Sequence, residues 1–246
     1  MIAQNVPKIK ERIKTACAKV GRDPSTVTII AISKGRSIEQ IQEVIAAGII
    51  DIGENKVQEA LLKYNQLTTH NSQLRTIKWH MVGHLQTNKV KGAVKIFDLI
   101  HSVDSLRLAE EISKQAAKIN KIQDILMEVK TSPEATKSGL SPEKVIERVK
   151  EISQLKNVKI KGLMTLACIV ATPEEARPYF RQLRELRDKL ITQNSEFRTL
   201  SMGMTDDFEV AIEEGATIVR IGRAIFGPST SLGVAMSERS ELNGGG

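Results

Sequence analysis

Lys34 closes the apolar run Val27–Ser33. Counting by twos along an extended segment, it shares a face with Ile32 and Ile30. A lysine ending a buried strand sheds its proton cheaply, because desolvation disfavours the ammonium form. A neutral amine is what Schiff-base formation with an aldehyde requires. The competing reading is that Lys34 simply emerges into solvent at a strand end. A second chemical position is Arg220, inside the run TIVRIGRAIFG at 217–227. It alternates with Ile218 and Gly222 on one strand face. A buried-face arginine needs a partner, since it cannot lose its charge. It can serve a ring nitrogen or a carboxylate, or it can sit in a structural ion pair.

The third position is a pair of glycine-bearing loops, Ser201-Met202-Gly203-Met204-Thr205 and Gly222-Arg223. Glycine lets the backbone approach a ligand closely, and helix N-termini offer free N–H groups to anions. Asp206 and Asp207, next in the chain, also suit plain helix capping. A lysine, an arginine and an anion cradle together would suit a phosphorylated aldehyde that carries a ring nitrogen.

The elements that must hold these residues alternate strictly. Strands are expected at 27–33, 50–53, 77–82, 98–102, 124–129, 158–164, 198–202 and 217–221. Amphipathic helices separate them. Ser37 with Gln40 forms a capping box for the first of these, and Asp104 is the expected cap of the helix before the fifth strand. Ser141-Pro142 gives an N-cap followed by a proline where its missing N–H does no harm. Thr172 to Glu175 is another capping box, with Pro178 delaying or kinking its helix. Thr205 or Asp206 is expected to cap a helix ending at Gly215. An extra helix over about residues 6–20 precedes the first strand.

Strict alternation argues for a parallel sheet. Eight units at this spacing match a closed (β/α)8 barrel better than an open doubly wound sheet, and no G-x-G-x-x-G follows the first strand. Residues 1–228 are read as one barrel domain, and 229–246, which end in three glycines, as a disordered tail. Barrels keep their working groups at the C-terminal ends of strands, and the first and eighth strands are neighbours there. Lys34, Arg220 and the two loops would therefore converge.

The bulk numbers bound the rest. The 246 residues are 41% hydrophobic but only 3% aromatic, so the core is aliphatic. A net charge of +7 invites an anionic partner. The basic residues are interspersed with Glu, and so few aromatics make no base-stacking platform, so nucleic acid is not the expected partner. Cys17 and Cys168 form no C-x-x-C pair. No segment has the length of a membrane span or the pattern of a secretory signal, and the expected location is the cytoplasm. His80 and His84 are four apart around a strand and a glycine turn, which is no persuasive metal pair. His80 either lines the barrel mouth or packs, and packing is the expected role.

From about residue 8 to residue 227 the chain resembles the pyridoxal phosphate homeostasis proteins (YggS type), relatives of the alanine racemase N-terminal barrel. The matching stretches include AISKGR at 31–36, DIGENKVQEA at 51–60, WHMVGHLQTNK at 79–89 and IHSVDSLRLAEE at 100–111. TKSGL at 136–140, KGLMTLA at 161–167 and LSMGMTDDFEVAIEEGATIVRIGRAIFG at 200–227 follow in order. The resemblance implies a fold-type III barrel with pyridoxal 5′-phosphate held as a Schiff base on Lys34. It implies Arg220 at the pyridine nitrogen, and phosphate contacts from Ser201, Met202, Gly203, Thr205, Gly222 and Arg223. Asn55 and Met164 would lie near the ring. Two departures stand out: Gly35 where the family often has Thr or Asn, and Arg223 where it often has Thr or Ser.

The resemblance also implies a carrier without robust turnover, acting in vitamin B6 and amino-acid homeostasis. An arginine cannot hand a proton to the ring nitrogen, which damps carbanion chemistry. The second base of the related racemases is a tyrosine from an additional β domain, and Tyr64 and Tyr179 here read as helical positions. A pyridoxal-phosphate racemase or lyase of the same fold, a Schiff-base aldolase, and a basic interaction protein are the alternatives. Lys137, in the loop after the fifth strand, is a candidate second amine, or a plain surface lysine. Expected partners are the cofactor and recipient apoenzymes, and a monomer is expected.

Overall fold

The computed structural model describes residues 1–70, 76–132, 138–168, 170–191 and 196–228. Lys137 and the 229–246 tail lie outside the described residues. Eight parallel strands close into a barrel in chain order: β1 (Thr28–Ile32), β2 (Asp51–Glu54), β3 (Lys78–Met81), β4 (Leu99–Val103), β5 (Gln123–Glu128), β6 (Val158–Met164), β7 (Thr199–Ser201) and β8 (Ile218–Ile221). Each lies within two residues of its sequence-based expectation. Closure pairs Ile30 with Arg220 and Ala31 with Ile221, which brings the first and last strands side by side. The register shifts between β4 and β5 and between β5 and β6, irregularities that bend a sheet locally.

The helices are α1 (Ile2–Lys19), α2 (Ile38–Ala46), α3 (Val57–His70), α4 (Val90–Ile96), α5 (Leu106–Ala117), α6 (Pro142–Ile152), α7 (Arg177–Ile191), α8 (Phe208–Glu213) and the short α9 (Arg223–Phe226). The first starts earlier than expected and buries a stripe of Ile2, Val6, Ile9, Ile13 and Cys17 at helical spacing. The main apolar core lies between the outer face of the barrel and this helical ring. Trp79 of β3 meets Tyr64 of α3 edge-on there, with centroids 6.1 Å apart.

The Ser37/Gln40 capping box is formed as expected. Two caps differ. Ser105, not Asp104, caps α5, accepting from the Leu108 N–H. Asp207, not Thr205 or Asp206, is the N-cap of α8, and its carboxylate instead takes the Met204 N–H at 2.6 Å. Thr172 opens a 3-10 turn over Pro173–Ala176, so α7 begins at Arg177 with Pro178 in its first turn. Among the described residues, no helix is long and apolar enough to cross a membrane.

Candidate functional site

At the C-terminal ends of the strands lies a cavity of about 450 Å³, a size that suits a small cofactor. Lys34, Asn55, Glu128, Met204 and Arg220 all line it, with Ile32, Val82 and Leu166 as apolar wall. Three of the expected site residues, from β1, β2 and β8 and the turns after them, are thereby brought together. Lys34 stands two residues beyond β1 and is exposed. The desolvated setting expected for its amine is not found; the side chain opens to the cavity mouth instead.

The peptide groups on either side of Lys34 are fixed by charged side chains. The Gly35 N–H donates to Glu59 Oε1 at 2.6 Å, and Ser33 Oγ donates to the fully buried Glu54 carboxylate. Lys63 joins them, donating to Glu54 and Glu59 at 2.6 and 2.7 Å. Burial pushes the Glu54 carboxyl above its ordinary range, only partly offset by Lys63. Burial also pushes on Glu59, but there the hydrogen bonds from Lys63 and Gly35 outweigh it and hold the carboxyl below its ordinary range.

Arg220 is 4% exposed. Its Nη1 donates to Ser201 Oγ at 2.6 Å and its Nη2 to the Thr165 carbonyl at 2.8 Å. Burial lowers its guanidinium to about 10, opposed by the nearby carboxyls of Asp207 and Glu128. Glu128, at the end of β5, is raised to about 7, first by burial and then by Asp104, with Arg220 acting in the opposite sense. Among the described residues no cluster of potential metal ligands is present.

The remaining expected residues fall into two groups. Gly203 has φ +91°, and a Cβ there would lie 2.6 Å from the Ala211 side chain, so only glycine turns this loop over α8. Thr205 and Gly222 are half-buried, and exposed Arg223 pairs with Asp206, which ties the loop after β7 to the one after β8. Ser201, Met202 and Met164 are instead buried. The Ser201 hydroxyl is engaged by Arg220 and by His101. Met202 packs in the apolar core, and its N–H donates to the Ile218 carbonyl. Of the two readings of His80, packing holds: it is buried inside the barrel, bonded to Asp51 and His101.

Glu54, Glu59, Lys63, His101 and Glu128 are site residues that sequence reasoning missed. A signal was present for some of them. Glu54 and Glu128 each close the C-terminal end of a strand, where a barrel keeps its working groups, and Glu59 and Lys63 stand at helical i,i+4 spacing.

Residues 4–230 match the family model of the alanine racemase N-terminal domain. A pyridoxal phosphate homeostasis protein of Aquifex aeolicus is 46% identical over 225 residues, covering 91% of this chain and 96% of that one. One from Escherichia coli is 34% identical, covering 92% and 96%. The solved structure of PipY from Synechococcus elongatus with PLP bound superposes with a TM-score of 0.80 at 35% identity, covering 92% of this chain and all of that one. An alanine racemase of Clostridium difficile shares the fold at 14% identity and a TM-score of 0.70, covering 93% of this chain and 60% of that one. With an amine, a buried guanidinium and a closed eight-stranded barrel placed as the motifs require, the chain belongs to the pyridoxal phosphate homeostasis proteins, a family built on the alanine racemase N-terminal domain.

Proposed function

We propose that this protein binds pyridoxal 5′-phosphate and carries or buffers it, serving vitamin B6 and amino-acid homeostasis without robust turnover of its own. The observation that carries the reading is the convergence of the Lys34 amine and the Arg220 guanidinium on one cavity. The residues present fit the cofactor. The cofactor supplies an aldehyde, to which Lys34 offers the bonding amine. Arg220 keeps three of its five N–H donors after Ser201 and Thr165 take one each, and presents them toward a ring nitrogen. Because the guanidinium holds its proton, it orients the ring without acidifying it. Asn55 lies beside the ring, and Met164 and Met202 back the site from the core. Gly203, Thr205, Gly222 and Arg223 hold the phosphate, with Ser201 acting through Arg220.

The same reading gives a monomer in the cytoplasm, with residues 1–228 as one domain. PLP-dependent apoenzymes are the recipients. Borohydride reduction of PLP-loaded protein followed by a peptide map tests the core of it. The pyridoxyl group is expected on Lys34, and Lys34→Ala is expected to lose the near-visible absorbance. A map placing the label elsewhere, or amino-acid racemisation at ordinary enzymatic rates, would overturn the carrier reading.

A further inference from the structure

Beneath the cavity a line of polar side chains crosses the barrel. Arg220 Nη1 meets Ser201 Oγ at 2.6 Å, and Ser201 Oγ lies 2.9 Å from His101 Nδ1. His101 Nε2 lies 3.1 Å from His80 Nδ1, and His80 Nε2 lies 3.0 Å from Asp51 Oδ1. The five residues come from β8, β7, β4, β3 and β2. Ser201, His101, His80 and Arg220 are all buried, whereas the Asp51 side chain is 17% exposed. Asp51 opens β2, at the end of the barrel opposite the cavity.

The donor direction follows from chemistry at the two ends. A carboxylate only accepts, so His80 carries its proton on Nε2. In the arrangement that gives each hydrogen one partner, His80 Nδ1 is the acceptor and His101 donates to it from Nε2. His101 is neutral, because burial pushes its imidazolium well below the ordinary value, with His80 and Arg220 acting in the same sense. Its Nδ1 therefore accepts from the Ser201 hydroxyl, whose oxygen accepts from Arg220. Every bond donates the same way, from the guanidinium to the carboxylate. In the reverse arrangement His80 would be charged, and the Ser201 oxygen would accept from both neighbours, leaving its own hydrogen without a place in the line.

We propose that Asp51, His80, His101 and Ser201 are positioning residues for Arg220. Their one-way donor line fixes the roll of the guanidinium, so that its remaining N–H edge meets the cofactor ring, and it makes a carboxylate at the far end of the barrel part of the cofactor site. The inference rests on the reading that Arg220 serves a ring nitrogen. It separates this arginine from a simple buried ion pair, in which the carboxylate would touch it directly.

Two measurements test it. Nitrogen-15 NMR of the ligand-free protein at neutral pH reads the histidine tautomers. Both His80 and His101 are expected neutral with the proton on Nε2; a charged His80, or His101 protonated on Nδ1, overturns the line. PLP titration of Asp51→Asn and Asp51→Leu reads its effect on the site. The amide oxygen of Asn still accepts, so Asp51→Asn is expected to bind like wild type. Asp51→Leu is expected to lose roughly tenfold in affinity, the scale of one broken buried hydrogen bond, and to move the absorption maximum of the bound chromophore. An unchanged maximum in Asp51→Leu, with or without a loss of affinity, would mark a merely structural role and overturn the proposal. If wild type takes up no PLP, the functional reading fails, while the tautomers still decide the donor line by themselves.

Discussion

Lys63 Nζ donates to the Ser33 carbonyl oxygen at 2.6 Å, so a helix one unit along the barrel grips the peptide bond that leads into Lys34. Lys63 is only 7% exposed, and its ammonium bridges Glu54 and Glu59. Removing one partner of a buried ion pair leaves the other charge uncompensated. Lys63→Met is therefore expected to destabilise the fold by about 3–5 kcal/mol, read by urea unfolding. It should also slow reductive labelling of Lys34 by PLP. Labelling at the wild-type rate in protein that remains folded would show that the grip does not serve the amine.

Glu128 gives the stability of the protein a definite slope with pH. Its folded-state value of about 7 lies above the ordinary 4.5. Protonation therefore favours the folded state. The contribution is complete below pH 4.5 and is lost as pH rises through about 7. A shift of this size corresponds to about 3 kcal/mol. Glu128→Gln, permanently neutral, is expected to gain stability over wild type at pH 8 and to lose its advantage at pH 5. Parallel denaturation curves for the two proteins across that range would show that the carboxyl is not the source.

Gly83 sits where the turn after β3 passes the turn after β2. A Cβ there would fall 2.4 Å from the Asn55 carbonyl oxygen and 2.8 Å from its Cα. Backbone atoms cannot swing aside as a side-chain tip can. Gly83→Ala should cost roughly 1–3 kcal/mol through overpacking, and should weaken PLP binding by displacing Asn55. Thermal unfolding and a PLP titration measure both effects.

Arg223 separates surface pairing from ligand binding. Its partner is Asp206, and both side chains are more than two-thirds exposed. Such a pair adds little, so Arg223→Ala should shift stability by no more than about 0.5 kcal/mol. A several-fold loss of PLP affinity, larger at low salt, is expected if Arg223 supplies charge to the phosphate. Unchanged affinity would confine Arg223 to joining the two loops.

Periodicity, caps and breakers are local, because they report what each short segment must bury and where its backbone must stop. That is why eight strands, their alternation with helices, and the placing of Lys34 just past the first strand and Arg220 within the last could all be read along the chain. Which neighbouring polar residue becomes the cap was less legible: Ser105 and Asp104 are chemically alike at a helix start, and the tertiary path of the loop chose between them.

Contacts between strands carry no such local mark. His80 and His101 are 21 residues apart, and His101 and Ser201 are 100 apart. Read singly, each is a polar residue in an apolar strand. Only barrel closure and register bring their side chains onto one line with Asp51 and Arg220. Lys63 likewise reads as a helical surface lysine until the fold buries it against Glu54 and the Ser33 carbonyl. The sequence by itself settled which segments form the barrel and in what order they alternate. The partners of the buried charges were decided by the tertiary structure, because a charge removed from water must find its counterpart wherever the closed sheet has placed one.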